Sequence, residues 1–279
     1  MRKYIVILIL FITVSIKAQD IHTVITGAAS NTSGAITTTT DGGYVAVGSM
    51  KLLRKDCPYI VKLSSTGAIQ WAKAITNSSF NTDDLSGILQ TSDGGFLLSG
   101  SQLIKIDSFG NVEWYKFEYS GKAIQTSDGG YAICGSVHGN SGTVTQFIKL
   151  DGTGNYEWHV SYIDTTGKET GATITTAIEA QDGYYVFGEA SRVSNTPRQM
   201  LTHISKAGTI IWHRGYSLNG TKTAFAAGLT RTTDNGFVMG CYTFPLSFSG
   251  TDDEADQLCI KLDSLGNVLW TIEIDGFSP

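Results

Sequence analysis

The side chains able to do chemistry are few and regularly placed. There are five histidines (His22, His138, His159, His203, His213) and four cysteines (Cys57, Cys134, Cys241, Cys259). Thiolates and imidazoles would suit a structural zinc, but the cysteine spacing fits no zinc motif. His159 and His213 each follow a tryptophan, and His22 holds the matching place in an N-terminal segment. Like positions in separate units cannot converge on one ion through bonds of about 2 Å. Asp41, Asp93, Asp128, Asp182 and Asp234 stand at equivalent turns, where a ring of carboxylates would attract cations or sugars. Turn stereochemistry itself also asks for Asp there. Asp252, Asp253, Glu254 and Asp256 form the densest acidic cluster and the calcium candidate, although they lack the alternating ligands, central Gly and terminal Glu of a calcium loop. No other cofactor is expected. Cys241 and Cys259 fall on successive expected strands and are the candidate disulfide pair. No Gly-x-Ser-x-Gly elbow, phosphate loop or His-Glu-x-x-His helix is present, so no catalytic residue is assigned. Carboxylate pairs for glycoside hydrolysis could still be assembled from separate units. Phe80, Tyr242, Phe244 and Phe248 could form a sugar platform or pack under their own loops.

The elements that position these residues repeat. Thr-x-Asp-Gly-Gly-aromatic occurs at Asp41, Asp93 and Asp128, and in altered form at Asp182-Gly183-Tyr184 and Asp234-Asn235-Gly236-Phe237. Each copy is followed by a Lys-Leu-Asp-x-x-Gly-x-x-x-Trp element or a variant of it. All five tryptophans, Trp71, Trp114, Trp158, Trp212 and Trp270, end such an element, and His203 replaces its Lys in the fourth. The distance from turn Asp to Trp is 21 to 36 residues, varying where loops should lie. Each unit holds four short β-type runs separated by Asp-Gly-type reversals, so neighbouring strands should be antiparallel. In the fourth unit the runs are expected at about 173–179, 184–189, 200–204 and 209–216. Four strands, one Trp and a period near 40–50 residues describe the blades of a β-propeller. The expected fold is all-β, a single five-bladed propeller of four-stranded antiparallel blades. Its blades fall at about 35–76, 77–119, 120–163, 164–217 and 218–279. Residues 20–34 would form a closing strand, because 21–26 align with 71–76; they should lie against the last blade. The tryptophans then become the packing residues between blades, each burying on the order of 150–250 Å².

The Leu-Asp-x-x-Gly-x-x-x-Trp element resembles the tryptophan-docking motif of pyrroloquinoline-quinone-type propeller repeats. The fuller unit, with Asp-Gly-Gly-Tyr ahead of Phe-Ile-Lys-Leu-Asp-x-x-Gly-Asn-x-x-Trp, resembles repeats of secreted Bacteroidetes-like bacterial proteins. The resemblance spans essentially all of 20–279 and implies the fold; it implies no function. Quinoprotein dehydrogenases sharing the motif usually carry more blades, together with cofactor and calcium ligands that cannot be placed in this sequence, so no quinone site is inferred. Kelch repeats also pair a double glycine with a later Trp, but there the glycines close the second strand, whereas Gly42-Gly43 and Gly94-Gly95 open it.

Arg2 and Lys3 precede an apolar run at 4–16 and a polar exit, the pattern of a signal peptide over residues 1–19. Thirteen residues are too few to cross a core of about 30 Å as a helix, so no membrane span is expected after cleavage. The destination is the periplasm or the medium. A net charge of -5, with no run of Lys or Arg longer than two, argues against nucleic acid as a partner. The function expected is a secreted, non-enzymatic binding module holding a glycan, peptide or protein on a rim or in the central opening. The alternatives are a glycan-active hydrolase with carboxylates at the channel, or a structural part of an envelope assembly.

Overall fold

The computed structural model describes residues 31–52, 55–75, 85–139, 142–161, 173–190, 198–216, 222–245 and 256–274. Residues 1–19, expected to be a signal peptide, and segment 21–26 lie outside the described residues, while 31–34 belong to the first strand. Among the described residues every regular element is a strand, and the strands form five four-stranded antiparallel sheets in a propeller-like succession. The first sheet is β1 (Asn31–Thr38), β2 (Tyr44–Leu52), β3 (Lys55–Leu63) and β4 (Ile69–Ala74). The second is β5 (Leu85–Gln90), β6 (Phe96–Gly100), β7 (Leu103–Ile106) and β8 (Val112–Lys116). The third is β9 (Tyr119–Gln125), β10 (Tyr131–Gly139), β11 (Gly142–Leu150) and β12 (Tyr156–Ser161). The fourth is β13 (Thr173–Ala180), β14 (Gly183–Ala190), β15 (Arg198–Ile204) and β16 (Ile210–Tyr216). The fifth is β17 (Lys222–Arg231), β18 (Phe237–Pro245), β19 (Asp256–Leu262) and β20 (Val268–Ile274).

Local chemistry explains the meander. In the first reversal Thr39 N–H donates to Gly43 O and Gly42 N–H to Thr39 O, each at 2.9 Å, and the pattern recurs from Thr91, Thr126 and Thr232. The residue after Asp takes a left-handed backbone, with φ of 78° at Gly42 and 63° at Asn235, and Asn is among the side chains that tolerate it. Between third and fourth strands Asp107 Oδ1 accepts the N–H groups of Phe109 and Asn111 at 2.8 Å, and Asp151 and Asp263 repeat this. Every β3-type strand also shifts register against its β4-type partner at one place, after Lys62, Lys105, Lys149, His203 and Lys261.

Among the described residues the core is divided into four interlayers. Strand alternation sends Phe96, Leu98, Ile104 and Ile106 toward the first sheet and Leu97 and Leu103 toward the third. The third and fourth sheets share Phe147, Tyr184 and Val186; the fourth and fifth share Phe187, Leu201, Phe237 and Met239. Each interlayer is sealed by a tryptophan from the earlier sheet. Trp71 meets Phe96 edge-on at 6.2 Å between ring centroids, Trp114 meets Tyr131 at 5.8 Å, and Trp158 meets Tyr184 at 5.8 Å. The same rings cover the turn glycines of the next sheet. A Cβ added to Gly110, Gly154, Gly208 or Gly266 would stand 3.0, 3.1, 2.7 or 2.9 Å from Trp71, Trp114, Trp158 or Trp212. Polar bonds at the rim tie the layers further: Gln90 accepts from Thr40 N–H, Gln125 from Ser92 N–H, and Glu179 from Ser127 N–H, at 2.7 to 2.8 Å.

Candidate functional site: the rim turns and the inner groove

The turn aspartates are engaged by cations from their own sheets. Lys62, Lys105, Lys149 and Lys261 are buried, and each places Nζ 2.8 to 2.9 Å from the Oδ2 of Asp41, Asp93, Asp128 and Asp234. Each ammonium also donates to the carbonyl of the next residue, at 3.0 to 3.2 Å, which the register shift brings within reach. Lys105 and Lys149 have a second carboxylate, Glu113 and Glu157, at 2.7 and 2.8 Å. Partial burial works to raise the Asp93 carboxyl, yet hydrogen bonds from Lys105, Thr91 and Gly95 N–H outweigh it and hold it at about 2. Asp128 is likewise held at about 2 against its own burial, by Thr126, Lys149 and Gly130. Burial works to lower the Lys105 and Lys149 ammonium groups, and their carboxylate partners reverse this and raise them. In the four Lys-bearing turns the glycine two residues after Asp makes room for the lock: a Cβ on Gly130 would fall 2.5 Å from Lys149 Nζ. At four of the five described turns the carboxylate is therefore part of a charge pair rather than bare. The signal for it was present in the sequence, as a Lys at one position of four repeats.

The fourth sheet departs from the pattern. His203 replaces the Lys, stacks on Tyr185 at 4.2 Å and 9°, and has Nε2 3.6 Å from Asp182 Oδ2. Tyr185 OH takes over as donor to Asp182, at 2.9 Å.

Other expected sites are dispersed. Cys241 and Cys259 do not form a disulfide. Cys241 lies opposite Leu258 and Cys259 opposite Gly240, so the two thiols project from opposite faces of the fifth sheet. None of the four cysteines is in a disulfide, and burial pushes the Cys134 and Cys241 thiols up to about 12. Asp252, Asp253 and Glu254 lie outside the described residues, and Asp256 begins β19. No group of three or more His, Cys, Asp or Glu suited to a metal occurs among the described residues. His159 and His213 are exposed on β12 and β16, and the Tyr156 hydroxyl lies 2.7 Å from His159 Nδ1. Phe80 and Phe248 lie outside the described residues. Tyr242 and Phe244 sit on β18 rather than on a loop and pack with Phe225, Tyr242 stacking on it at 5.4 Å.

A concave site does exist where the first strands of three sheets meet. β9 packs against both β5 and β13, and between them lies a groove of about 460 Å³. Ser86, Ser120, Lys122, Ile174 and Thr175 line it on these strands, together with Ser101 and Cys134. Gly100, Gly121 and Gly135 add wall without side chains, so backbone groups border the opening directly. Gly121 and Gly135 are cross-strand partners, and a Cβ on Gly121 would come 2.5 Å from the Cα of Gly135. Lys122 is exposed on β9, and no carboxylate lines the groove among the described residues. No motif marks these positions in the sequence.

No family model matches the chain, and no curated protein matches it. Solved structures do. A variant of Synechocystis apocarotenoid oxygenase aligns with 90% of this chain and 64% of its own at a TM-score of 0.52 and 10% identity. The chain thus spans under two thirds of that enzyme, and the likeness is one of fold alone. A Bacteroides vulgatus member of the duf4221 family aligns over 90% of this chain and 86% of its own, with a TM-score of 0.42 and 10% identity. A quinonprotein alcohol dehydrogenase-like protein of Bacteroides thetaiotaomicron gives 0.35 and 13% identity over 88% and 68%. No helix among the described residues is long and apolar enough to cross a membrane.

Proposed function

We propose that this chain is a secreted or periplasmic binding module, a propeller-like succession of five blades that holds an extended polar ligand, a glycan or a peptide, in the groove between β5, β9 and β13. The observation carrying this reading is the lining of that groove, in which serine and threonine side chains, bare glycine backbone and one exposed ammonium, Lys122, stand beside Ile174 and Cys134. Hydroxyls and peptide groups hydrogen-bond to sugars or to an extended main chain, and a fixed cation selects a ligand bearing a carboxylate. Hydrolysis of a glycoside would need two carboxyl groups flanking the scissile bond, and the described wall supplies neither. The test is a screen of the purified protein on glycan and peptide arrays, with and without calcium, while the same samples are assayed for released sugar. Binding without release, lost in Lys122→Glu at unchanged thermal stability, is the expected result. Release of sugar, or binding indifferent to Lys122→Glu and Ser120→Trp together, would overturn the reading. Calcium-dependent binding would bring Asp252, Asp253, Glu254 and Asp256 forward instead.

A further inference from the structure

The internal joints of the molecule define a surface that its last sheet leaves uncovered. At each joint the forward face of one sheet, carrying the Trp, seats on the rear face of the next, carrying the turn aromatic and an apolar residue of its first strand. In the fifth sheet Phe237, Met239, Cys241, Leu258 and Ile260 point back to the fourth. Alternation places Tyr242, Cys259, Trp270, Ile272 and Ile274 on the forward face. That face is open: Trp270 is 43% exposed and Ile272 52%, whereas the other four tryptophans are half-buried. The first sheet shows the complementary defect. Tyr44 holds the place of Phe96, yet it is 36% exposed where Phe96 is 1%, and Ile36, in the place of Ile88, is 64% exposed. Consecutive sheets all pack together, and the described strands of the fifth and first sheets make no comparable packing.

The two open faces also match in detail. Two residues after the Trp, Lys73 and Arg214 reach across their joints to Asn111 and Asn267, at 2.7 and 2.5 Å. The fifth sheet has Ile272 at that position. On the first sheet the residue equivalent to those asparagines is Ala68, which is exposed. Where an internal joint pairs a cation with an amide, the two end faces pair an isoleucine with an alanine. At the four described joints the Trp ring lies directly on a glycine turn of the next sheet.

We propose that the forward face of the fifth sheet seats on the rear face of the first sheet of a second copy of this chain, through the joint already used four times within it. Such an interface is heterologous: each molecule offers both halves, so assembly continues beyond a dimer unless the rotation closes a ring. Sedimentation velocity of the purified chain over a concentration series tests this. The expected result is a sedimentation coefficient that rises with concentration, with species larger than a dimer. Trp270→Asp destroys the forward face and Tyr44→Asp the rear face, so each variant alone stays monomeric. Mixed together, each retains the half the other lacks, and they form a dimer and nothing larger. A native chain that stays monomeric at every concentration would overturn the proposal, as expected if its own ends or its own N-terminal segment cover these faces. Native assembly that survives both substitutions would overturn it as well.

Discussion

Replacing Gly208 by Ala tests the joint between the third and fourth sheets most directly. Gly208 has φ of 82°, and its added Cβ would stand 2.7 Å from Trp158 Cδ2. Two costs follow. Left-handed backbone for an L residue costs about 1–2 kcal/mol. Forcing a methyl group against a packed ring costs about 1–3 kcal/mol more. Gly129→Ala is the control, since Gly129 has φ of 84° but nothing within 4 Å of its added Cβ, and only the first cost applies. Urea unfolding should therefore show Gly208→Ala less stable than Gly129→Ala by about 1–3 kcal/mol. Trp158→Ala removes the ring, so in the double variant Gly208→Ala should fall back toward the cost of Gly129→Ala. Residues in contact couple in this way, whereas independent sites add to within about 0.5 kcal/mol. Equal costs for the two glycine variants, or strict additivity of Gly208→Ala with Trp158→Ala, would refute the docking argument.

Other outcomes follow from the locks and the thiols. Asp128→Asn leaves the buried Lys149 with Glu157 as its remaining carboxylate; because Asp128 is half exposed, the loss of stability should be about 1–2 kcal/mol, read by urea unfolding. Asp93 and Asp128 titrate near 2 when folded against about 3.9 unfolded, so their contribution is complete above about pH 4 and disappears as pH falls toward 2. The melting temperature should drop through that window, and less steeply in Asp93→Asn/Asp128→Asn. At the basic end the raised Lys105 and Lys149 give stability that is full below about pH 10.4 and lost as pH rises through their folded values. Mass spectrometry after alkylation in denaturant should find four labelled thiols, while at neutral pH the native protein should label slowly at Cys134 and Cys241.

What could be read from the sequence was whatever repeats. The fourth unit, expected at about 173–179, 184–189, 200–204 and 209–216, contains strands Thr173–Ala180, Gly183–Ala190, Arg198–Ile204 and Ile210–Tyr216. Asp-Gly reversals and strand-length apolar runs carry that information locally. The role of Lys149 did not follow from its spacing, because Asp128 is brought to it by pairing across β10 and β11 and not by proximity along the chain. The cysteines failed for a related reason: adjacent strands were expected correctly, but whether two side chains share a face depends on register, and a shift of one residue reverses it. The groove escaped notice because Ser86, Ser120, Lys122 and Thr175 come from three different sheets and form no pattern along the chain.

The joint that recurs between sheets has a consequence for how such a protein can change. Each joint needs a tryptophan from one unit and a glycine turn with an aromatic from the next, and every unit carries both halves. Duplicating or deleting one whole unit therefore creates no contact of a new kind, since the flanking units meet through the chemistry they already possess. Unequal exchange at the gene level would give folded products of different blade number.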